Sequence, residues 1–84
     1  MFHLLNPYSN FTYIEHHSIM ELKNTIKEYR QKKRLTQEEL AIKAGVSRQT
    51  IISIERYRYK PSLELGMKIA DSLKVKIDLL FYFE

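Results

Sequence analysis

The sequence predicts an all-α fold, a bundle of five short helices preceded by an irregular N-terminal arm. The chain has only two glycines and two prolines in 84 residues, too few for the many turns of a β-sandwich or barrel. From about residue 21 onward, apolar residues recur at helical spacing. Two helix-start residues, Thr36 and Ser47, stand on either side of Gly45. We therefore expect one domain over residues 21–84 and an arm over residues 1–20.

The composition excludes several classes of protein. The chain has no cysteine, which rules out a disulfide framework or thiolate zinc site and suits the cytoplasm. No run of about 18 apolar residues is present to span a bilayer. A nucleophile with a positioned base and a glycine-rich phosphate loop are both missing, so we expect no enzyme. So short a chain also leaves no room for a metabolite pocket of about 300 Å³ or more, and we expect no cofactor and no small-molecule ligand.

The N-terminal arm contains all three histidines of the chain, His3, His16 and His17. Two adjacent imidazoles cannot face one metal ion from a regular helix or strand, so we expect no metal site. Because Met20 stands directly before the first helical pattern, we interpret it as the natural start and residues 1–19 as an upstream extension. The arm also has four aromatic residues, Phe2, Tyr8, Phe11 and Tyr13. We expect these aromatics to pack against the bundle or across a dimer.

The basic charge lies in the domain. All 14 Lys and Arg residues and nine of the ten acidic residues lie in residues 21–84, which gives that part a net charge of +5. This surplus favours an anionic partner. Nucleic acid is favoured over a membrane surface because no basic amphipathic helix with a bulky apolar face stands alone.

The spacing of Leu22, Ile26 and Tyr29 predicts an amphipathic first helix over about residues 21–33. A fourth helix begins at Pro61-Ser62, and the apolar series from Val75 to Phe81 predicts a short fifth helix.

Two helices in the middle of the domain are joined by a very short turn. Thr36 and Glu39 form a capping box that opens the first of them, and Gly45 ends it. Ser47 is an N-cap for the next helix, which runs to about Arg56. Helices joined by so tight a glycine turn must cross steeply. This is a helix-turn-helix unit, whose second helix is exposed enough to enter a DNA major groove.

The chain from Leu22 to Phe81 resembles the Cro/CI-type (XRE-like) helix-turn-helix family, in particular its small single-domain bacterial and phage regulators. The matching segments are Ile26-Lys27-Glu28-Tyr29-Arg30, Leu35-Thr36-Gln37-Glu38-Glu39-Leu40-Ala41, Ala44-Gly45-Val46-Ser47-Arg48-Gln49-Thr50-Ile51, Ile54-Glu55, Pro61-Ser62-Leu63 and Lys68-Ile69-Ala70. The resemblance implies a lambda-repressor-like domain of five helices, with residues 36–45 as the positioning helix and residues 47–56 as the recognition helix.

The resemblance also implies roles for single residues. The positions that contact base edges in relatives are Arg48, Gln49 and Ser53. Arginine pairs with guanine and glutamine with adenine, although the Ser53 hydroxyl has the alternative of bonding only to the carbonyl four residues back. The expected phosphate contacts are Gln37, Ser47, Thr50, Arg56, Arg58 and Lys60. Arg30 and Glu55 match a pair that forms a structural salt bridge in relatives.

Two positions depart from the family pattern. Tyr57 and Lys74 stand where relatives usually carry glycine. A left-handed helix cap is costly for a bulky side chain, so either the recognition helix runs past Tyr57 or the loop takes another path. The cost of a left-handed Lys74 likewise leaves the path of the turn between the fourth and fifth helices undecided.

The C-terminus is too apolar for the surface of a monomer. Leu79, Tyr82 and Phe83 are therefore expected to form a homodimer interface; the alternative is that they cover the N-terminal arm. The function expected from the resemblance is a sequence-specific repressor that binds a near-palindromic double-stranded operator as a homodimer. It would act in the cytoplasm, at the nucleoid when bound. The alternative is an antitoxin-like DNA-binding protein whose main role is to bind a partner protein.

Overall fold

The computed structural model describes residues 20–84, which form five helices and two short strands. In chain order these are β1 (Leu22–Asn24), α1 (Ile26–Lys32), α2 (Gln37–Ala44), α3 (Arg48–Glu55), α4 (Leu63–Leu73), α5 (Ile77–Leu80) and β2 (Phe81–Phe83). The prediction of five helices is confirmed. The N-terminal arm, with its histidines and aromatics, lies outside the described residues. Within residues 20–84, no helix has the length and apolar character needed to cross a membrane.

The core is formed by one apolar face of each helix. Burying a side chain of this size stabilises the fold by about 1.5 to 3 kcal/mol. The fully buried large side chains are Ile26, Leu40, Ile51, Ile54, Ile69, Leu73 and Leu80. Because α2 packs against both α3 and α4, the apolar face of the recognition helix is held inside and its polar face is left outside.

The helix-turn-helix unit forms as its capping residues predict. The Thr36 hydroxyl accepts the Glu39 N–H at 3.0 Å, and the Glu39 carboxylate accepts the Thr36 N–H at 2.8 Å. Gly45 ends α2 in the left-handed conformation, at φ 75°. The Val46 N–H then reaches back to the Ala41 carbonyl at 3.0 Å. The positioning and recognition helices are thus separated by one tight turn.

The prediction that the first helix begins at residue 21 is wrong, and the all-α class is incomplete. Residues Leu22–Asn24 form a strand that pairs antiparallel with Phe81–Phe83, with Leu22 opposite Phe83 and Asn24 opposite Phe81. The Asn24 side-chain oxygen accepts the Ile26 N–H at 3.1 Å, which starts α1 at Ile26. The helical spacing that begins at Leu22 gave the wrong start for the first helix, because Leu22 is half-buried as part of a strand.

Tyr57 and Lys74, the two positions where relatives usually carry glycine, adopt the same backbone conformation. The recognition helix ends at Glu55, and Tyr57 itself adopts the left-handed conformation at φ 63°. Lys74 ends α4 in that conformation at φ 57°. The helix therefore does not run past Tyr57. These residues take the conformation that glycine usually supplies.

Candidate nucleic-acid interface

The recognition helix α3 is fixed at its N-terminus by two hydroxyl side chains. The Ser47 hydroxyl accepts the Thr50 N–H at 3.2 Å, and the two hydroxyls lie 3.0 Å apart in a hydrogen bond. An N-cap of this kind stabilises a helix by about 1 kcal/mol. Both residues are at the start of the helix, next to the turn from α2, where the resemblance implies phosphate contacts.

The outward face of α3 carries the residues expected to contact bases. Ile51 and Ile54 are fully buried and define the inner face. Arg48 and Gln49 are exposed, and Ser53 is half-buried. Gln49 and Ser53 are four residues apart, so they lie on the same side of the helix. The structure thus places the three expected base-contacting residues on α3, with Ser53 the least accessible.

The loop after α3 folds back onto the end of the helix. The Ser53 carbonyl accepts the Arg58 N–H at 2.9 Å and the Tyr59 N–H at 3.3 Å, and the Ile54 carbonyl accepts the Tyr57 N–H at 3.0 Å. These bonds hold the loop close to α3. The loop cations Arg56, Arg58 and Lys60 are exposed there.

The surface around α3 is positively charged. Residues 47–60 contain four cations and one acid. That acid, Glu55, is bound to Arg30 inside the bundle, so its charge does not offset the outer cations. A phosphate backbone is attracted to such a surface.

Arg30 and Glu55 form a bidentate ion pair that joins α1 to the end of α3. Arg30 Nε lies 2.7 Å from Glu55 Oε2, and Arg30 Nη2 donates to Glu55 Oε1 at 3.2 Å. Arg30 Nη1 also donates to the Leu35 carbonyl at 2.9 Å. The side chains are 10% and 3% exposed. The pair fixes the end of the recognition helix against the first helix.

Gln37, expected to contact a phosphate, is joined to the same pair. Its Nε2 donates to Glu55 Oε1 at 3.1 Å. A glutamine amide nitrogen has two N–H groups, so one holds the carboxylate and the other is left for a further acceptor. Gln37 is half-buried at the start of α2.

Asn24 holds the end of α3 in place, a role that was not expected from the sequence. It is buried, and its Nδ2 donates to the Ile54 carbonyl at 3.0 Å while its side-chain oxygen accepts the Ile26 N–H in a turn just before α1. The Tyr57 hydroxyl donates to the Asn24 carbonyl at 3.3 Å. An asparagine just before a helical pattern is a local signal for a cap. Nothing in the local sequence indicates its bond to the end of α3, which lies 30 residues away.

The residues expected at a dimer interface lie at the C-terminal end of the domain. Leu79 on α5 is 57% exposed, and Phe83 on β2 is 64% exposed. Tyr82 pairs with Lys23 across the sheet. Partial desolvation raises the pKa of Tyr82, and the neighbouring Tyr57 hydroxyl adds to the rise. Because the Tyr57 hydroxyl donates to the carbonyl of Asn24 on β1, the sheet connects the C-terminal residues to the loop that follows the recognition helix.

A helix-turn-helix whose second helix has an exposed polar face and is followed by a cationic loop is the arrangement of a DNA-reading domain, and comparison with known proteins agrees. The profile of the HTH_3 helix-turn-helix family matches residues 26–80. The chain belongs to this family. Its Cro/CI-type members are DNA-binding transcriptional regulators.

Relatives within the family cover most of the domain. An uncharacterised HTH-type transcriptional regulator of Methanocaldococcus jannaschii is 56% identical over 63 residues, which are 75% of this chain and 96% of that protein. The immunity repressor of Bacillus phage phi105 is 38% identical over 61 residues, or 73% of this chain and 42% of the repressor. The crystal structure of the restriction-modification controller protein C.AhdI from Aeromonas hydrophila matches with a TM-score of 0.63 and 31% identity. That match covers 64% of this chain and 82% of the controller.

Proposed function

We propose that this protein is a sequence-specific repressor of transcription that inserts α3 into the major groove of double-stranded DNA. The observation that carries the proposal is the outward face of α3, where Arg48 and Gln49 are exposed on a helix fixed at both ends. A helix of this exposure fits the major groove, which is about 12 Å wide. The protein acts on the nucleoid in the cytoplasm.

The base contacts follow from side-chain chemistry. Arg48 donates two hydrogen bonds to guanine O6 and N7, and Gln49 pairs with adenine N6 and N7. Each such pair discriminates against a wrong base by about 1 to 3 kcal/mol. Ser53 supplies a weaker contact, because it is half-buried.

The phosphate contacts surround α3 and set its register on the duplex. Phosphate contacts give affinity and orientation but carry no sequence information. The proposed residues are Gln37, Ser47, Thr50, Arg56, Arg58 and Lys60. The bonds from the Ser53 carbonyl to the loop support the roles of the last three, because they hold the loop beside α3.

The protein acts as a homodimer on a near-palindromic operator. The exposure of Leu79, Tyr82 and Phe83 supports an interface at the C-terminal end. Two recognition helices about 34 Å apart then read half-sites one helical turn apart. Repression is supported by the similarity to a phage immunity repressor. The antitoxin-like alternative gains no support from the relatives named above.

Selection of bound sequences from randomised DNA duplexes tests the proposal. The wild-type protein is expected to enrich one sequence. Arg48→Ala and Gln49→Ala are each expected to weaken binding to that sequence by about 10- to 100-fold while binding to a scrambled duplex changes much less.

The matched control is Lys68→Ala, which removes one positive charge from α4, where Lys68 is paired with Glu64 in an exposed ion pair. It is expected to affect both duplexes equally and weakly. Equal loss of binding to both duplexes in Arg48→Ala and Lys68→Ala would contradict the assignment of α3 as the reading helix.

A further inference from the structure

The outward face of α3 contains a shallow cavity of about 260 Å³. Its lining residues are Gln49, Thr50, Ser53 and Tyr59. Three of them are on the recognition helix, and the fourth comes from the loop that follows. Tyr59, which is 49% exposed, thus adds an aromatic side chain to the outward face of α3.

Tyr59 is held in this place by the backbone of the loop. The left-handed conformation of Tyr57 turns the chain back, and the Ser53 carbonyl then accepts the N–H groups of Arg58 and Tyr59. The Tyr57 side chain is itself fixed by its hydrogen bond to the Asn24 carbonyl. The ring is therefore presented beside α3 by a turn that is anchored at two points.

The chemistry of the cavity matches an A·T base pair. The Gln49 amide has both the donor and the acceptor that adenine requires. Thymine differs from the other bases in the major groove by its 5-methyl group, which is recognised through apolar contact. The Thr50 hydroxyl is engaged with Ser47, so its methyl group and the Tyr59 ring are the apolar parts of the lining.

We propose that Tyr59 is a specificity-determining residue that, with Thr50, contacts the 5-methyl group of a thymine in the major groove. This inference rests on the proposed function, because it requires α3 to enter that groove. Tyr59 lies outside the recognition helix, so the bases would be contacted by the loop as well as by α3. A tyrosine beside DNA has a second possible role, which is to donate its hydroxyl to a phosphate, and the experiment separates the two.

The test uses the DNA sequence that the wild-type protein selects. Each thymine of that sequence is replaced in turn by deoxyuracil, which removes only the methyl group. At one thymine in each half-site, the replacement is expected to weaken wild-type binding by about three- to tenfold, the effect of one apolar contact. Tyr59→Phe keeps the ring and is expected to show the same loss. Tyr59→Ala is expected to show a clearly smaller difference between the thymine and uracil duplexes, because only the Thr50 methyl group is left to contact the thymine.

Each other result overturns the proposal in a distinct way. If Tyr59→Phe weakens binding as much as Tyr59→Ala, and uracil has the same effect in all three proteins, the hydroxyl contacts a phosphate. If the wild type enriches a sequence but no uracil effect depends on residue 59, the thymine contact is absent while the proposed function stands. If the wild type enriches no sequence, the proposed function fails and this inference with it. A circular dichroism spectrum of Tyr59→Ala that matches the wild type shows that the variant is folded.

Discussion

Arg30 and Glu55 place two opposite charges inside a small bundle, where neither is stable alone. Removing a charged group from water costs several kcal/mol, and only close pairing with further hydrogen bonds offsets that cost. Here the Leu35 carbonyl and the Gln37 amide supply those further bonds. Within residues 20–84, no buried side-chain nitrogen or oxygen is left without a hydrogen-bond partner. The network therefore fixes the geometry of α1, α2 and α3 together.

Glu55→Ala is expected to lower the free energy of unfolding by about 3 to 5 kcal/mol, because it leaves the Arg30 guanidinium buried without its partner. Glu64→Ala breaks an exposed pair with Lys68 and is expected to cost less than about 1 kcal/mol. Urea denaturation followed by circular dichroism measures both. Equal stability of the two variants would show that the buried pair does not hold the helices together.

The residues of the site were predictable from sequence to different degrees. The caps at Thr36 and Ser47 are local patterns, and the structure contains both. The pairing of Arg30 with Glu55 was expected only from resemblance, since nothing local joins residues 25 positions apart. The bond from Asn24 to the end of α3 spans 30 residues and has no local signal, and the place of Tyr59 beside α3 depends on the left-handed turn at Tyr57, which the sequence did not predict.

Four helices end in the same backbone motif. At the end of each helix, an N–H reaches back five residues to a carbonyl: Leu35 to Arg30, Val46 to Ala41, Arg58 to Ser53 and Val75 to Ala70. The residue just before each of these N–H groups is left-handed, and it is Arg34, Gly45, Tyr57 or Lys74. Only one of the four is glycine, so three helix ends are held in a conformation that costs a non-glycine residue about 1 to 2 kcal/mol.

Lys74→Gly is expected to raise the free energy of unfolding by about 0.5 to 1 kcal/mol. Glycine removes the energetic cost of the left-handed conformation. The greater freedom of glycine in the unfolded chain offsets only part of that gain. Lys43→Gly, at an exposed right-handed position of α2, is expected to lower that free energy by about 0.5 to 1 kcal/mol. Chemical denaturation of the two variants and the wild type gives the comparison. A loss of stability in both variants would mean that Lys74 is not strained.

The short sheet is the element that sequence could not predict. β1 and β2 have three residues each and lie at opposite ends of the domain's sequence, so no turn signal connects them. The helical spacing of Leu22, Ile26 and Tyr29 does not distinguish one continuous helix from a strand that ends at Asn24 and a helix that begins at Ile26. Both arrangements turn these three residues towards the core. By contrast, α2 and α3 begin and end at local capping residues, and their bounds were predicted to within one residue.

For the whole molecule, the sheet brings the two ends of the domain together. Thr25 Oγ1 donates to the Leu79 carbonyl at 3.1 Å, and the Glu21 and Glu84 backbones exchange two hydrogen bonds of 3.0 Å. The apolar residues at the C-terminal end are thereby held in a fixed place relative to α3. A dimer formed there would set the separation of two recognition helices, which is the property that selects half-site spacing.

Phe83→Glu is expected to convert the dimer to a monomer, because it places a charge in an apolar interface. Leu63→Glu is the matched control, since Leu63 on α4 is also exposed and apolar but lies outside the proposed interface. Sedimentation equilibrium measures the mass of each variant. A monomeric wild type, or a monomer produced only by Leu63→Glu, would contradict an interface made by Leu79, Tyr82 and Phe83.

Sequence-specific binding to DNA is measured by fluorescence anisotropy over a series of KCl concentrations. The titrations use the selected duplex and a scrambled duplex of the same length. We expect the selected duplex to bind about 10³-fold or more tightly than the scrambled one at physiological salt, and binding to both to weaken as KCl rises. Equal affinity for the two duplexes at every salt concentration would mean that the protein is not a sequence-specific regulator, because its cationic surface would then attract DNA without reading its sequence.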